Sequence, residues 1–128
     1  MRQIKLSHQK GRFKIRANAI LVGEDLIVTI WGGTRPHIGA VAMAVPRSSL
    51  RNPDVTSATS SVLTRVGHKE DDIVKRISER LSSELGKVVV VSAGIHFDDI
   101  TDDEIDIIRR ACDALACKLI KRVRRIGE

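Results

Sequence analysis

Arg12-Phe13-Lys14-Ile15-Arg16-Ala17-Asn18-Ala19-Ile20-Leu21-Val22-Gly23-Glu24-Asp25-Leu26-Ile27-Val28-Thr29-Ile30-Trp31 is the stretch that decides the fold class. Over its first half Phe13, Ile15, Ala17, Ala19 and Leu21 alternate with Lys14, Arg16 and Asn18, the two-residue period of a strand with one wet face. Beyond Ile20 both faces turn apolar. Gly23-Glu24-Asp25 predicts a turn, and the β-branched run from Leu26 to Trp31 predicts a returning strand. A hairpin is the expected first unit.

Downstream, Ile38 to Val45 is apolar throughout and rich in alanine, a strand packed closely by its neighbours, and Pro46 is expected to end it. Pro46 to Asp54 has the proline, serine and asparagine content of a loop. Val55 to Val66 reads as a strand that starts polar, with Thr56, Ser57, Thr59, Ser60 and Ser61, and ends apolar at Val62-Leu63. A helix starts near Lys69, with Glu70-Asp71-Asp72 complementing its dipole, a stripe of Ile73, Ile77, Leu81 and Leu85 helped by Val74, and Gly86 to stop it. Lys87 to Val91 is a buried strand between glycine-containing turns. In the last helix Thr101 and Glu104 make a capping box and Ile100 and Ile105 a hydrophobic staple. Its stripe of Ile105, Ile108, Cys112, Leu115, Leu119 and Val123 carries it to about Arg124. Two strand pairs, then helix, strand, helix predict an α+β fold: a largely antiparallel β-sheet with two main helices packed on it.

The 128 residues suit a single domain, 1–128, with residues 1–11 as a basic N-terminal segment. No run reaches the roughly 18 apolar residues of a membrane span, and Met1-Arg2-Gln3-Ile4-Lys5 lacks a signal peptide's apolar stretch, so a cytoplasmic protein is expected. Cys112 and Cys117 are five apart in a helical pattern, on different sides of the helix, and form no CxxC pair. Both are read as reduced and structural.

The formal charge is +6, but its distribution matters more than its sum. Of 22 Lys/Arg and 16 Asp/Glu, eleven bases and one acid lie in residues 1–16 and 118–128, leaving the body with eleven bases against fifteen acids. Aromatic residues are limited to Phe13, Trp31 and Phe97. With the stacking platform nearly absent, and with basic ends that are more often solvated than functional, nucleic-acid binding is not expected.

Three segments have the small, polar character of a site: Gly32 to Ala42, Ser57 to Ser61 running on to Gly67-His68-Lys69, and Ser92 to Asp99. Gly32, Gly33 and Pro36 fix an unusual backbone path, and small residues let another molecule approach the main chain. His37, His68 and His96, with Asp98 or Asp99, suggest a mixed nitrogen and oxygen metal site, yet their spacing matches no ligand signature. No GxSxG elbow, Walker A sequence or GxGxxG is present, which weakens the enzyme reading. An anion-binding module fits better. Arg35, Arg47 or Lys69 would neutralise a phosphate, loop and helix-start amides would hold its oxygens, and the serine and threonine strand would add hydroxyls.

The combination of Gly33-Thr34-Arg35-Pro36-His37-Ile38-Gly39, Pro46-Arg47, Ser57-Ala58-Thr59-Ser60-Ser61, Gly67-His68-Lys69-Glu70-Asp71 and Ala93-Gly94-Ile95-His96-Phe97-Asp98 resembles the prenylated flavin chaperone-like family, which includes a small accessory subunit of gallate decarboxylase. The match covers roughly residues 12–120. The resemblance implies a fold similar to the proteasome assembly chaperones, a dimer, and no reaction of its own. It also implies association with decarboxylases that use prenylated flavin mononucleotide, whose cofactor the family is thought to deliver or maintain. It carries over no catalytic residue. Assigning the flavin, as prenylated FMN or FMN, to Gly33, Arg35, His37, Ser57, Thr59, Ser60, Ser61, His68, Lys69 and His96 is a physical inference from the amides, hydroxyls and cations at those positions. Two other readings stand beside it: a protein-assembly chaperone that holds a partner subunit without a small molecule, and a histidine-based metal enzyme.

Overall fold

The computed structural model describes residues 2–65, 67 and 70–126. Six strands and two helices follow in the order β1 (Gln3–Lys10), β2 (Phe13–Val22), β3 (Asp25–Gly33), β4 (Ala40–Ser48), β5 (Thr56–Thr64), α1 (Asp71–Leu85), β6 (Val89–His96) and α2 (Asp102–Ile126). The expected α+β class and largely antiparallel sheet are present. The strand order is β1-β2-β3-β6-β4-β5, and only the β3–β6 pairing is parallel.

Alternation explains the layers. On β2 and β3, Phe13, Ile15, Ala17, Ala19, Leu26, Val28 and Ile30 are buried, while Lys14, Arg16 and Ile27 are exposed. The buried face is the one covered by helices: α1 lies on β4, β5 and β6, and α2 on β1, β2 and α1. Ala40, Ala42, Ala44 and Ala93 bring little bulk to that face, so α1 packs close with Ile73, Val74, Ile77 and Leu81 fully inward. From α2, Ile108, Cys112, Leu115, Leu119 and Val123 complete the core. These are the stripes that the 3-4 spacing predicts, with Leu85 half-buried and Ile105 at the edge.

The two hairpin turns share one device. Gly11 and Gly23 are each the first of two turn residues, with φ of 59° and 60°, the positive φ that a type II′ hairpin requires there. The opposite sheet face carries no helix. Across it Ile20 lies opposite Ile27, Ile27 opposite Val90, and Val90 opposite Met43, an apolar row four strands wide in which Ile27 and Met43 are 42% and 50% exposed.

Three boundaries depart from the sequence reading. The basic N-terminal segment contains an edge strand, β1, whose inward residues are Ile4 and Leu6 and whose other positions are polar. Two apolar residues in eight are too few to reveal a strand, and its lysines suit an edge that must not recruit another chain. Pro46 does not end β4, which runs to Ser48. Pairing with β6 stops at Ala44, so at Pro46 the strand is bonded only to β5, the edge-type setting that tolerates proline. Finally, β6 runs through Ser92, Ala93 and Gly94 to His96 where a glycine turn was expected. The reason lies in what crosses it.

Candidate functional site

Because β6 is inserted between β3 and β4, the chain leaving β3 must pass over the end of β6 to enter β4. Residues 34–39 are that strap. Its ends are sewn to β6 by Thr34 N–H donating to His96 O at 2.8 Å and Gly39 N–H donating to Ala93 O at 2.9 Å. Arg65 fixes the far end, its backbone N–H donating to Gly39 O at 2.9 Å and its guanidinium to Ile38 O at 3.1 Å.

The glycines are explained by this crossing. A Cβ on Gly94 would overlap the His37 carbonyl, one on Gly33 the His96 carbonyl, and one on Gly39 the Glu70 carboxylate. Gly33 also has φ of 89°, a conformation side chains resist. The close approach expected of small residues is thus made by the chain itself, by backbone at Gly33 and Gly94 and by a side chain at Gly39.

His37, midway along the strap, is held at both ring nitrogens. Nδ1 lies 2.9 Å from Arg35 O and Nε2 lies 2.9 Å from Glu70 Oε1. The ring thus bridges the strap's own backbone and the Glu70 carboxyl. Glu70 is the N-cap residue of α1, but its side chain makes no cap hydrogen bond. It turns inward, 7% exposed, and Oε1 also accepts from Ile95 N–H of β6 at 3.3 Å. One carboxylate therefore ties strap, helix start and strand together.

Beside it, between the ends of β6, α1 and α2, lies a cleft of about 520 Å³. This falls within the roughly 300–1,000 Å³ range of small-molecule sites. Ile73, Ile95, Phe97, Ile100, Ile105 and Ile108 wall it, and His37, Glu70, His96, Asp72 and Arg109 stand at its polar margin. His96 Nε2 is 3.1 Å from Asp98 Oδ1. Arg12 donates to Asp98 O at 3.2 Å, and its guanidinium lies 4.7 Å from the Phe13 ring and 5.8 Å from the Phe97 ring, an edge-to-face pair with centroids 4.9 Å apart.

The expected site residues divide. Gly33, His37 and His96 come together at the strap, and Arg35 is exposed upon it. His68 and Lys69 lie outside the described residues; their neighbours Gly67 and Glu70 line the cleft. The hydroxyl-rich strand is elsewhere. Ser57, Thr59 and Ser61 oppose Arg47, Val45 and Met43 on the uncovered face, Thr59 Oγ1 accepting from Arg47 Nε at 2.6 Å. Ser60 points the other way and donates to Glu79 Oε1 of α1 at 3.0 Å. The sequence reading missed Glu70, which looked like helix-dipole charge; its signal was an N-cap residue with an unfavourable capping side chain. Among the described residues no group of three His, Cys, Asp or Glu is placed to hold a metal ion, and no helix is long and apolar enough to cross a membrane.

Comparison with known proteins agrees with this architecture. A solved structure described as "Crystal Structure of a Novel Chaperone Complex for Yeast 20S Proteasome Assembly" superposes with a TM-score of 0.53, covering 93% of this chain and 99% of that one at 12% identity. At that identity the likeness speaks for the fold. Protein LpdD of Lactiplantibacillus plantarum is 26% identical over 121 residues, spanning 88% of this chain and 79% of the relative. The model of the prenylated flavin chaperone LpdD-like domain matches residues 9–124, nearly the whole chain, and the protein therefore belongs to that family.

Proposed function

We propose that the protein is a non-enzymatic, cytoplasmic accessory chaperone that binds FMN or prenylated FMN and supports a decarboxylase that uses the prenylated cofactor. The observation that carries the reading is the isoleucine-walled cleft with His37 and His96 at its margin, beside the start of α1. Apolar walls with a few fixed polar groups suit a planar ring system carrying hydrogen-bonding edges. The strap residues Gly33, Arg35 and His37, with His96, make up the proposed cofactor surface, and His68 and Lys69, which stand between Gly67 and Glu70 in the sequence, are proposed to join them. Ser57, Thr59, Ser60 and Ser61 leave it, because their strand lies away from the cleft.

The non-enzymatic part of the reading is supported by the family, whose model is described as a chaperone. The carboxylate at the cleft margin is engaged by His37 and Ile95, and the bonds of both histidine rings tie the chain to itself. A second copy of the chain is proposed on the uncovered sheet face, centred on the Ile20, Ile27, Val90 and Met43 row, which a lone subunit leaves in water.

The test is native mass spectrometry of anaerobically purified protein with added FMN, followed by His37→Ala and His96→Ala together. A flavin-bearing dimer whose flavin is lost in the folded double variant is expected. Wild-type protein that stays flavin-free would end this reading and favour a protein-assembly role without a small molecule.

A further inference from the structure

The strap has a second side. On the uncovered sheet face, between the strap and β2, is a depression of about 600 Å³ walled by Trp31 and Pro36 and bordered by Arg12, Lys14 and Arg16. Arg16 stands directly opposite Trp31 in the β2–β3 register, and Lys14, two residues earlier, shares its face. Both cations are exposed, and among the described residues neither makes an ion pair. A further depression of about 470 Å³ adds Lys5 on the other side of Trp31.

The cleft is less cationic, because its arginine, Arg109, lies 3.9 Å from Asp72 and so is already opposed by a carboxylate. Two carboxylates, Glu70 and Asp72, line it. A phosphate dianion placed there would meet two carboxylates beside one arginine, whereas across the strap it would meet Lys14 and Arg16, with Arg12 paired to Glu104 at the border, at an indole. Phe97 lines both depressions, so they share a wall rather than lying at distant places.

The geometry points to the Trp31 depression as the seat of the ligand's phosphate, with Lys14 and Arg16 as the groups that neutralise it. This rests on the flavin mononucleotide reading above and assigns the charged end of that ligand. Arg16 presents a planar fork able to take two phosphate oxygens, and Lys14 adds a point charge from the same strand face. Trp31 and Pro36 offer flat apolar surface along which the chain joining phosphate to ring can lie, the ring itself keeping to the cleft.

The experiment compares FMN with riboflavin, which lacks the phosphate, by calorimetry on the full chain and on K14Q/R16Q. Both substituted residues are exposed, so the variant should fold. FMN affinity is expected to fall at least about tenfold, with riboflavin affinity unchanged. Raising the salt concentration should weaken FMN binding to the native protein and leave riboflavin binding alone. As an independent readout, inorganic pyrophosphate should alter the emission of Trp31, the sole tryptophan, in the native protein and not in the variant. If FMN binds K14Q/R16Q as tightly as the native chain while H37A weakens it, the phosphate assignment is overturned and the flavin reading survives. If neither flavin binds the native chain, the flavin reading falls and this seat falls with it.

Discussion

The carbonyl of His37 occupies the space that a side chain on Gly94 would need, so the strap and β6 touch backbone to backbone. Gly94→Ala should cost at least about 2 kcal/mol, because neither carbonyl nor strand can move without breaking the Thr34–His96 and Gly39–Ala93 hydrogen bonds. Gly86→Ala is the control: it has a left-handed φ of 64° and ψ of 37° but open space around it, and should cost about 1 kcal/mol. Urea unfolding distinguishes the two. Equal losses would mean that the strap yields easily.

Glu70 holds strand and strap through one oxygen. Its Oε1 accepts from His37 and from the Ile95 amide, so Glu70→Ala leaves both donors without this acceptor. A loss of about 2–3 kcal/mol is expected. Hydrogen exchange gives a more local check: the Ile95 amide should lose protection while the amides of α2 keep theirs. Unchanged exchange at Ile95 would show that the carboxylate does not couple strand to strap.

At the start of α2 the capping box is reciprocal, Thr101 N–H donating to Glu104 Oε1 at 3.0 Å and Glu104 N–H to Thr101 Oγ1 at 3.2 Å. Thr101→Ala should cost about 1 kcal/mol. The Thr101 amide, helped by its hydroxyl and by Arg12, lowers the Glu104 pKa below its usual value, against a smaller opposing effect of desolvation. A lowered folded-state pKa means the contribution is complete above the ordinary carboxylate value near 4.5 and is lost as pH falls through the lower folded value. Glu104→Gln should therefore flatten that acid portion of the stability profile and leave the neutral-to-basic portion parallel to the native one.

The two cysteines should behave differently toward an alkylating reagent. Cys112 is buried in the core, and burial pushes its thiol up to about 12, with Asp113 adding to the rise and Arg76 opposing it. Cys117 is exposed on the same helix, its Sγ 3.1 Å from an Arg80 guanidinium nitrogen. Iodoacetamide should add once to the native protein, at Cys117, and twice in denaturant. Rapid double labelling without denaturant would mean that the α2 core opens readily.

What could be read from sequence followed period and locality. The β2–β3 hairpin and both helices were legible because Phe13 to Leu21 and Ile73 to Leu81 carry their burial pattern in consecutive residues. The insertion of β6 beside β3 was not, since Leu26 meets Val89 across 63 residues and no local pattern announces a parallel pairing. That one pairing decides the site. It turns the glycine loop into a strap, gives Gly94 its purpose, and makes Glu70 a tether instead of dipole charge. It also separates the hydroxyl strand from His37 and His96, a division that proximity of motif types concealed.

The uncovered sheet face supplies the last prediction. Ile27 and Met43, joined through Val90, project from the centre of a sheet whose other face already buries the core. If two copies meet there, replacing Ile27 and Met43 with lysine places four charges in an apolar contact and removes the area that held it together. Inside one subunit the same substitutions touch no buried layer, so folding should persist. Light scattering coupled to size exclusion should give a dimer for the native chain and a folded monomer for the double variant. A double variant that remains dimeric would move the contact to another surface, whereas a native chain that is monomeric at high concentration would leave this row open for the partner enzyme.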